Sequence, residues 1–363
     1  MMQRLGDFQV LGELGRGEFG VVYECRANDG TIWALKTCKV DPSPIHPKRK
    51  ETKLQISNRL LYWESEMYRL YANNHVCFPK LPSRPYRDNV QGWRLLAMEL
   101  LPGGTLRQQV LETKPLMVNL RAVFSVGLRI LLGLQHLNQQ GFVYRDLKPE
   151  NICLTGDERG VVLVDLGTMQ KFLDAKQEHF QTVGNVSVGT PQFMSIQVHQ
   201  GLPASRRDDL ESLGYLLVWV LNRGEIPLWG KSRSETEMLQ HKLNPDRDYG
   251  VLNEYFAYVL GLGVESTPDY TMLAKLFTDL GGTSYGQVDW SGVPSPASST
   301  LSTRGPPLKQ DTPPKRNTPP KQDTPLKRNT PPKQGKPRKR PNVERRIVQA
   351  VKIVQQVENA MLS

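Results

Sequence analysis

Ten residues near the middle of the chain, Phe142 to Asn151, read Phe-Val-Tyr-Arg-Asp-Leu-Lys-Pro-Glu-Asn and gather two acids, two cations and an amide. Each type has a use around a phosphate. Asp146 can accept the proton of a hydroxyl while its oxygen attacks phosphorus. Lys148 can neutralise charge on the transferred group. Asn151 can ligate a hard cation through its amide oxygen. Asp165, in Val164-Asp165-Leu166-Gly167, ends an apolar strand. A carboxylate there is costly unless something coordinates it, and Mg²⁺ is the natural partner. Taken singly, these residues have plainer readings as a solvated loop, a capped turn and a strand end.

Two further groups lie upstream. Leu14-Gly15-Arg16-Gly17-Glu18-Phe19-Gly20-Val21-Val22 holds a Gly-x-Gly-x-x-Gly pattern between two predicted strands. Dinucleotide sites run from strand into helix, whereas a glycine hairpin lays backbone amides over phosphates. Lys36, in Trp33-Ala34-Leu35-Lys36, follows one strand later. A lysine beside the apolar side of a strand needs an anionic partner, and the α/β phosphates of a nucleotide would serve. Glu64 and Glu66 are both candidates to hold that ammonium. Two residues apart on a helix, they face different sides, so only one can pair.

The elements that must position these groups fall into two blocks. Residues 8–40 read as an antiparallel meander turning at Asn28-Asp29-Gly30, residues 54–72 as a helix, and Arg94 to Met98 as a further strand. After Pro102-Gly103-Gly104, residues 118–140 carry apolar residues at helical spacing, stopped by Gly141. Short strands follow at 152–154 and 161–164, and the pattern from Arg207 to Leu280 is mostly helical. The expectation is a small β-rich lobe and a larger helical lobe joined near 99–104.

The whole set resembles a eukaryotic-type protein kinase across roughly residues 8–290. Gly15, Gly17 and Gly20 look like its phosphate-covering loop and Ala34-Leu35-Lys36 its phosphate lysine. Tyr144-Arg145-Asp146 looks like His-Arg-Asp, with Tyr for His. Asp165-Leu166-Gly167 looks like Asp-Phe-Gly, with Leu for Phe. Asp146 through Asn151 has the serine/threonine form, in which Lys148 and Thr190 bracket the base. Ser195-Ile196-Gln197 stands where most kinases carry Ala-Pro-Glu. With Arg206 to Tyr215 and Pro268-Asp269-Tyr270, it is similar to the casein kinase 1 and vaccinia-related kinase group.

The resemblance implies an α+β bilobal fold, ATP and Mg²⁺, and transfer to protein serine or threonine hydroxyls. It implies Glu64 as the helix acid and Met98 as gatekeeper. Glu99 to Leu101 become an adenine-facing hinge, and Cys153 an adenine floor. Asp209 becomes the anchor of the catalytic loop. The nucleotide site is then Leu14 to Val22, Ala34, Lys36, Met98, Glu99, Leu101 and Cys153, with Asn151 and Asp165 on the metal. Gln192 departs from the group, which places an Arg there that helps read acidic or phosphorylated substrates. Rival readings are a nucleotide-binding scaffold without transfer, and a polyanion binder that uses the fold as a platform.

Charge divides the chain. Of 363 residues with net charge +11, residues 304–363 hold 15 basic and 4 acidic, so the rest is neutral. From about Ser291, Ser, Thr, Pro and Lys dominate, and a Thr-Pro-x-Lys hexapeptide recurs at Thr312, Thr318, Thr324 and Thr330. Residues 291–342 are therefore expected to be a disordered basic tail. Its threonines suit a proline-directed kinase. Residues 304–346, which include the Lys336 to Arg340 cluster, suit an import receptor, nucleic acid or another polyanion. Residues 343–363 recover helical spacing, and residues 1–7 read as an extension.

Cys25, Cys38, Cys77 and Cys153 form no metal-spaced pair. No signal-like run opens the sequence, and the longest apolar run, Leu213 to Leu221, is about half a bilayer span. A soluble, intracellular, nuclear or cytoplasmic monomer is expected, in a host cell if the gene is viral.

Overall fold

The structure is a computed structural model. It describes residues 4–17, 20–43, 51–113, 119–174, 178–179, 189–226, 229–232, 234–244, 246–284, 286 and 288. Glu18 and Phe19, the whole tail with its four threonines, and the expected helix over 343–363 lie outside the described residues.

The first block is a six-stranded antiparallel sheet. Its strands are β1 (Arg4–Leu5), β2 (Phe8–Gly17), β3 (Gly20–Arg26), β4 (Ile32–Lys39), β5 (Tyr86–Val90) and β6 (Trp93–Glu99), in the order β1-β2-β3-β4-β6-β5. The turn at Asn28-Asp29-Gly30 forms as its residues dictate: Gly30 has φ +86°, and Asp29 Oδ1 accepts the Thr31 N–H at 2.9 Å. The sequence reading starts the sheet at Phe8. Arg4 and Leu5 add a strand because Leu5, fully buried, joins Phe8, Cys25, Leu35, Leu95 and Ala97 on one face.

Alternation sends the other side chains of these strands to the opposite face. Ala34, Cys38, Leu96 and Met98 pack there with helix α1 (Lys53–Met67). Lys36, between Ala34 and Cys38, shares that face. Helix α1 begins at Thr52, whose side chain accepts the Gln55 N–H while Gln55 returns to the Thr52 N–H. It ends in one π-helical turn, Tyr68–Ala72, that delivers the buried Tyr68.

The second block holds α2 (Leu106–Thr113), α3 (Leu120–Gln139), β7 (Phe142–Val143), β8 (Ile152–Leu154), β9 (Val161–Leu163) and β10 (Gln170–Lys171). It continues with α4 (Ile196–His199), α5 (Arg206–Leu221), α6 (Glu235–Leu243), α7 (Asn253–Gly261) and α8 (Tyr270–Asp279). Among the described helices, α3 alone is long and apolar enough to cross a bilayer, and 72% of that window is buried inside the fold. It is the core helix, packed against α5, α8 and β9. Each large apolar side chain fully buried around it contributes about 2 kcal/mol. Strands β8 and β9 pair antiparallel, Ile152 opposite Leu163, so the residues just before one and just after the other lie side by side. That hairpin brings Asn151 and Asp165 together.

Candidate active site

The glycine pattern forms the end of the β2–β3 hairpin, where Gly17 pairs with Gly20. A Cβ on Gly20 would sit 2.1 Å from the Thr37 carbonyl oxygen, so no larger residue fits. Leu14 and Arg16 are exposed on β2, with Arg16 paired to Glu13 at 2.7 Å. Val21 is buried, and Val22 packs onto the core that holds Ala34 and Met98.

Lys36 and the two helix acids separate cleanly. Lys36 Nζ lies 2.6 Å from Glu64 Oε2 and 3.3 Å from Asp165 Oδ1. Glu66 instead takes Arg69 at 2.6 Å. Helical geometry decides between the acids, because Glu64 is on the face against the sheet and is 2% exposed. Burial pushes the Glu64 carboxyl up to about 7, against the pull of Lys36. Burial also disfavours the Lys36 charge, but Asp165 and Glu64 together hold it above the ordinary lysine value. Glu64 Oε1 is buried with no hydrogen-bond partner.

Asp165 takes the left-handed conformation, φ +59°, and its N–H donates to Tyr68 Oη at 3.0 Å. Its side chain keeps 43% of its surface exposed. Partial burial opposes ionisation, but Lys36 and then Lys148 hold the carboxyl below its usual range. The Val164 N–H donates to Asn151 O at 2.9 Å, which ties Asn151 to the strand end that presents Asp165.

The stretch before Asn151 is anchored from below. Asp209, on α5, accepts the Tyr144 N–H at 2.7 Å and the Arg145 N–H at 2.8 Å. Arg145 is left-handed, φ +77°. Asp146 follows, its Oδ2 2.5 Å from Lys148 Nζ and its Oδ1 accepting Thr190 Oγ1 at 2.9 Å. Asn151 Nδ2 donates to Asp146 O at 2.9 Å. The buried Tyr144 donates its hydroxyl to Val164 O, a bond from this loop to the Asp165 strand. Gly189, φ +123°, lets the chain pass Arg145 O, which a Cβ would meet at 2.8 Å.

Between the blocks, the Glu99 carboxylate is taken up by protein partners. Arg159, in the β8–β9 turn, binds both its oxygens at 2.9 and 2.5 Å, and the Lys80 N–H adds a third bond at 2.9 Å. Gly104 O accepts the Leu154 N–H at 2.9 Å, and Thr105 bridges to Cys153. Burial raises the Cys153 thiol to about 12, which keeps it protonated and suits packing.

Sequence reasoning missed Arg159, whose partner is sixty residues away, and Tyr68. It also missed Lys242, fully buried on α6. Its only local signal is its position one turn after the buried Met238.

Residues 8–254 match the profile of the protein kinase domain. The chain belongs to the protein kinase family. Among its relatives, a probable casein kinase I homologue of Encephalitozoon cuniculi is 29% identical over 292 residues, covering 76% of this chain and 85% of that one. Casein kinase I homologue 2 of Schizosaccharomyces pombe is 27% identical over 305 residues, covering 78% of this kinase and 65% of the yeast protein. The similar Saccharomyces cerevisiae homologue 2 is matched over 52% of its length, so this kinase spans about half of it. The solved structure of vaccinia related kinase 3 shares the fold, with TM-score 0.62, 22% identity, and coverage of 79% of this chain and 92% of that one. This is a casein kinase I-like serine/threonine protein kinase.

Proposed function

We propose that this kinase transfers the γ-phosphate of Mg·ATP to serine and threonine hydroxyls of proteins, with Asp146 as the proton acceptor. The observation that carries the reading is two linked sets of groups, Lys36–Glu64–Asp165 and Asp146–Lys148–Thr190, with Lys148 also acting on Asp165. Lys36, steadied by Glu64, holds the α/β phosphates under the hairpin amides. Main chain from Glu99 to Leu101 takes the adenine edge, between Ala34 above and Cys153 below, with Met98 behind. Asp146 accepts the hydroxyl proton through the oxygens that Lys148 and Thr190 orient. Lys148 then faces the charge that develops on the transferred group.

Asn151 and Asp165 fit Mg²⁺. Both offer hard oxygens, Asp165 stays ionised, and Asn151 spends its Nδ2 on Asp146 O, which turns its amide oxygen outward. Two protein ligands suit an ion that completes its shell with phosphate and water. When bound, the ion neutralises phosphate charge and fixes phosphate geometry.

The test is transfer from labelled Mg·ATP to dephosphorylated casein and to myelin basic protein, with Asp146→Ala and Lys36→Met beside the wild type. Loss in both variants is the expected result; wild-type binding of ATP without transfer would sink the proposal. The casein names of the relatives make casein the first probe, and Gln192 predicts no strong preference for acidic or primed sites. A second activity is motivated by the +11 charge carried by residues 304–363. They are proposed to bind polyanions, weakened by proline-directed phosphorylation at Thr312, Thr318, Thr324 and Thr330, which would add roughly −6 to −8 charges.

A further inference from the structure

Helix α6 places a lysine in the core. Lys242 has no exposed surface. Its Nζ lies 2.7 Å from Met194 O, 3.0 Å from Pro191 O and 3.1 Å from His199 Nε2. The rings of Tyr215 and Trp229 flank it, their centroids 4.6 and 5.2 Å away. An ammonium has three protons and no acceptor. His199 Nε2 also lies 3.0 Å from Pro191 O, so it accepts from Lys242 in one tautomer and donates to that carbonyl in the other. A buried cation is tolerated only when its donors are met. Here the two carbonyl acceptors, Pro191 O and Met194 O, belong to one turn.

That turn starts at the proposed base. Thr190 donates its hydroxyl to Asp146, and Thr190 O accepts the N–H groups of Phe193 and Met194 at 2.9 and 3.0 Å. The carbonyl between the two held by Lys242, Gln192 O, accepts the Trp229 indole N–H at 3.0 Å. Three carbonyls of the segment, Pro191, Gln192 and Met194, are thus held by two side chains from residues 229–242. None of those bonds touches the groups around Lys36.

We propose that Lys242, with Trp229, is a positioning residue for the protein acceptor, fixing the Thr190–Met194 turn beside Asp146 so that an incoming hydroxyl meets the base. This rests on the reading of Asp146 given above. Replacing Lys242 removes the ammonium that holds Pro191 O and Met194 O, so the turn relaxes while the nucleotide side is untouched.

The test uses the full chain with Lys242→Met, which keeps the stem and removes the ammonium, and Trp229→Phe, which removes the indole bond to Gln192 O and keeps an aromatic ring beside Lys242. The expected result for Lys242→Met is a fall of about ten- to a hundredfold in kcat/KM for dephosphorylated casein. KM for ATP should stay within about twofold, because the nucleotide groups make no contact with this turn. Trp229→Phe should shift the same ratio in the same direction by less. Parallel losses for casein and ATP, or a lower Tm with unchanged acceptor kinetics, would show a merely structural role and overturn the proposal.

Hydrogen exchange read on a peptic fragment spanning 189–200 supplies a measure that needs no catalysis. Faster exchange there in the variants, with the segments around Lys36 and Glu64 unchanged, supports the clamp; unchanged exchange refutes it. Should the wild type phosphorylate nothing, the proposed function fails, and the exchange result still decides whether Lys242 holds the turn. If Lys242→Met does not fold, Trp229→Phe decides the same point.

Discussion

At the scale of single residues, the cleft is an economy of charge. Lys36 meets two carboxylates and Lys148 meets one while acting on another, so both lysines are paired before substrate arrives. The pairing is selective. Glu64 and Glu66 are two residues apart, yet one is buried against Lys36 and the other meets Arg69 near the surface. The roles assigned to them diverge accordingly. Glu64→Gln is expected to lower kcat/KM for Mg·ATP by about a hundredfold, since a misplaced lysine no longer holds the phosphates in line. Glu66→Gln should change it by less than about twofold, as exposed pairs contribute little. Steady-state kinetics with ATP varied separates the two. Equal effects would remove Glu64 from its proposed position.

At the scale of elements, the segment that joins the sheet to the helical block is held by an ion pair that no local pattern announces. Arg159 leaves the β8–β9 turn and grips Glu99, at the end of β6, through both carboxylate oxygens, with Asp157 2.9 Å away on its other side. Burial works against both acids, but hydrogen bonds from Arg159 hold them below their usual values, Asp157 down to about 2. A carboxylate whose folded value is depressed adds stability above its unfolded value of about 4, and that stability is lost as pH falls through the folded value. Arg159→Ala should therefore cost about 2 kcal/mol at neutral pH, chiefly through Glu99. Its Tm deficit should close as pH drops from about 4.5 towards 2. Thermal unfolding across that range checks both points, and a deficit independent of pH would assign the loss to packing.

At the scale of the whole molecule, charge and fold are kept apart. The neutral part of the sequence supplies the kinase domain, and the last sixty residues carry the entire excess of +11. Removing residues 304–363 should leave transfer to a peptide within about twofold, because no proposed catalytic group lies there. The same deletion should abolish salt-sensitive retention on heparin or DNA, since the salt slope falls by nearly one for every phosphate the protein ceases to neutralise. A truncated chain that still binds DNA at low salt would move the polyanion site onto the kinase domain.

Much of the site was legible because its chemistry is written in short runs. Asp146, Lys148 and Asn151 lie within six residues, and no fold can place them far apart. The glycine pattern between strands and the lysine one strand later are also local, since strand alternation fixes which face each residue joins. Other relations were beyond any local pattern. Residue types left Glu64 and Glu66 open, and the packed face of α1 decided between them. The Arg159–Glu99 grip, the Tyr68 hydroxyl beneath Asp165 and the Lys242 ammonium beneath the Thr190–Met194 turn join residues 48 to 97 positions apart. Sequence spacing sets what neighbours along a strand or helix can do. Only close packing of the core determines which distant donor finds which buried acceptor, because an unmet buried charge costs more than the fold can spare.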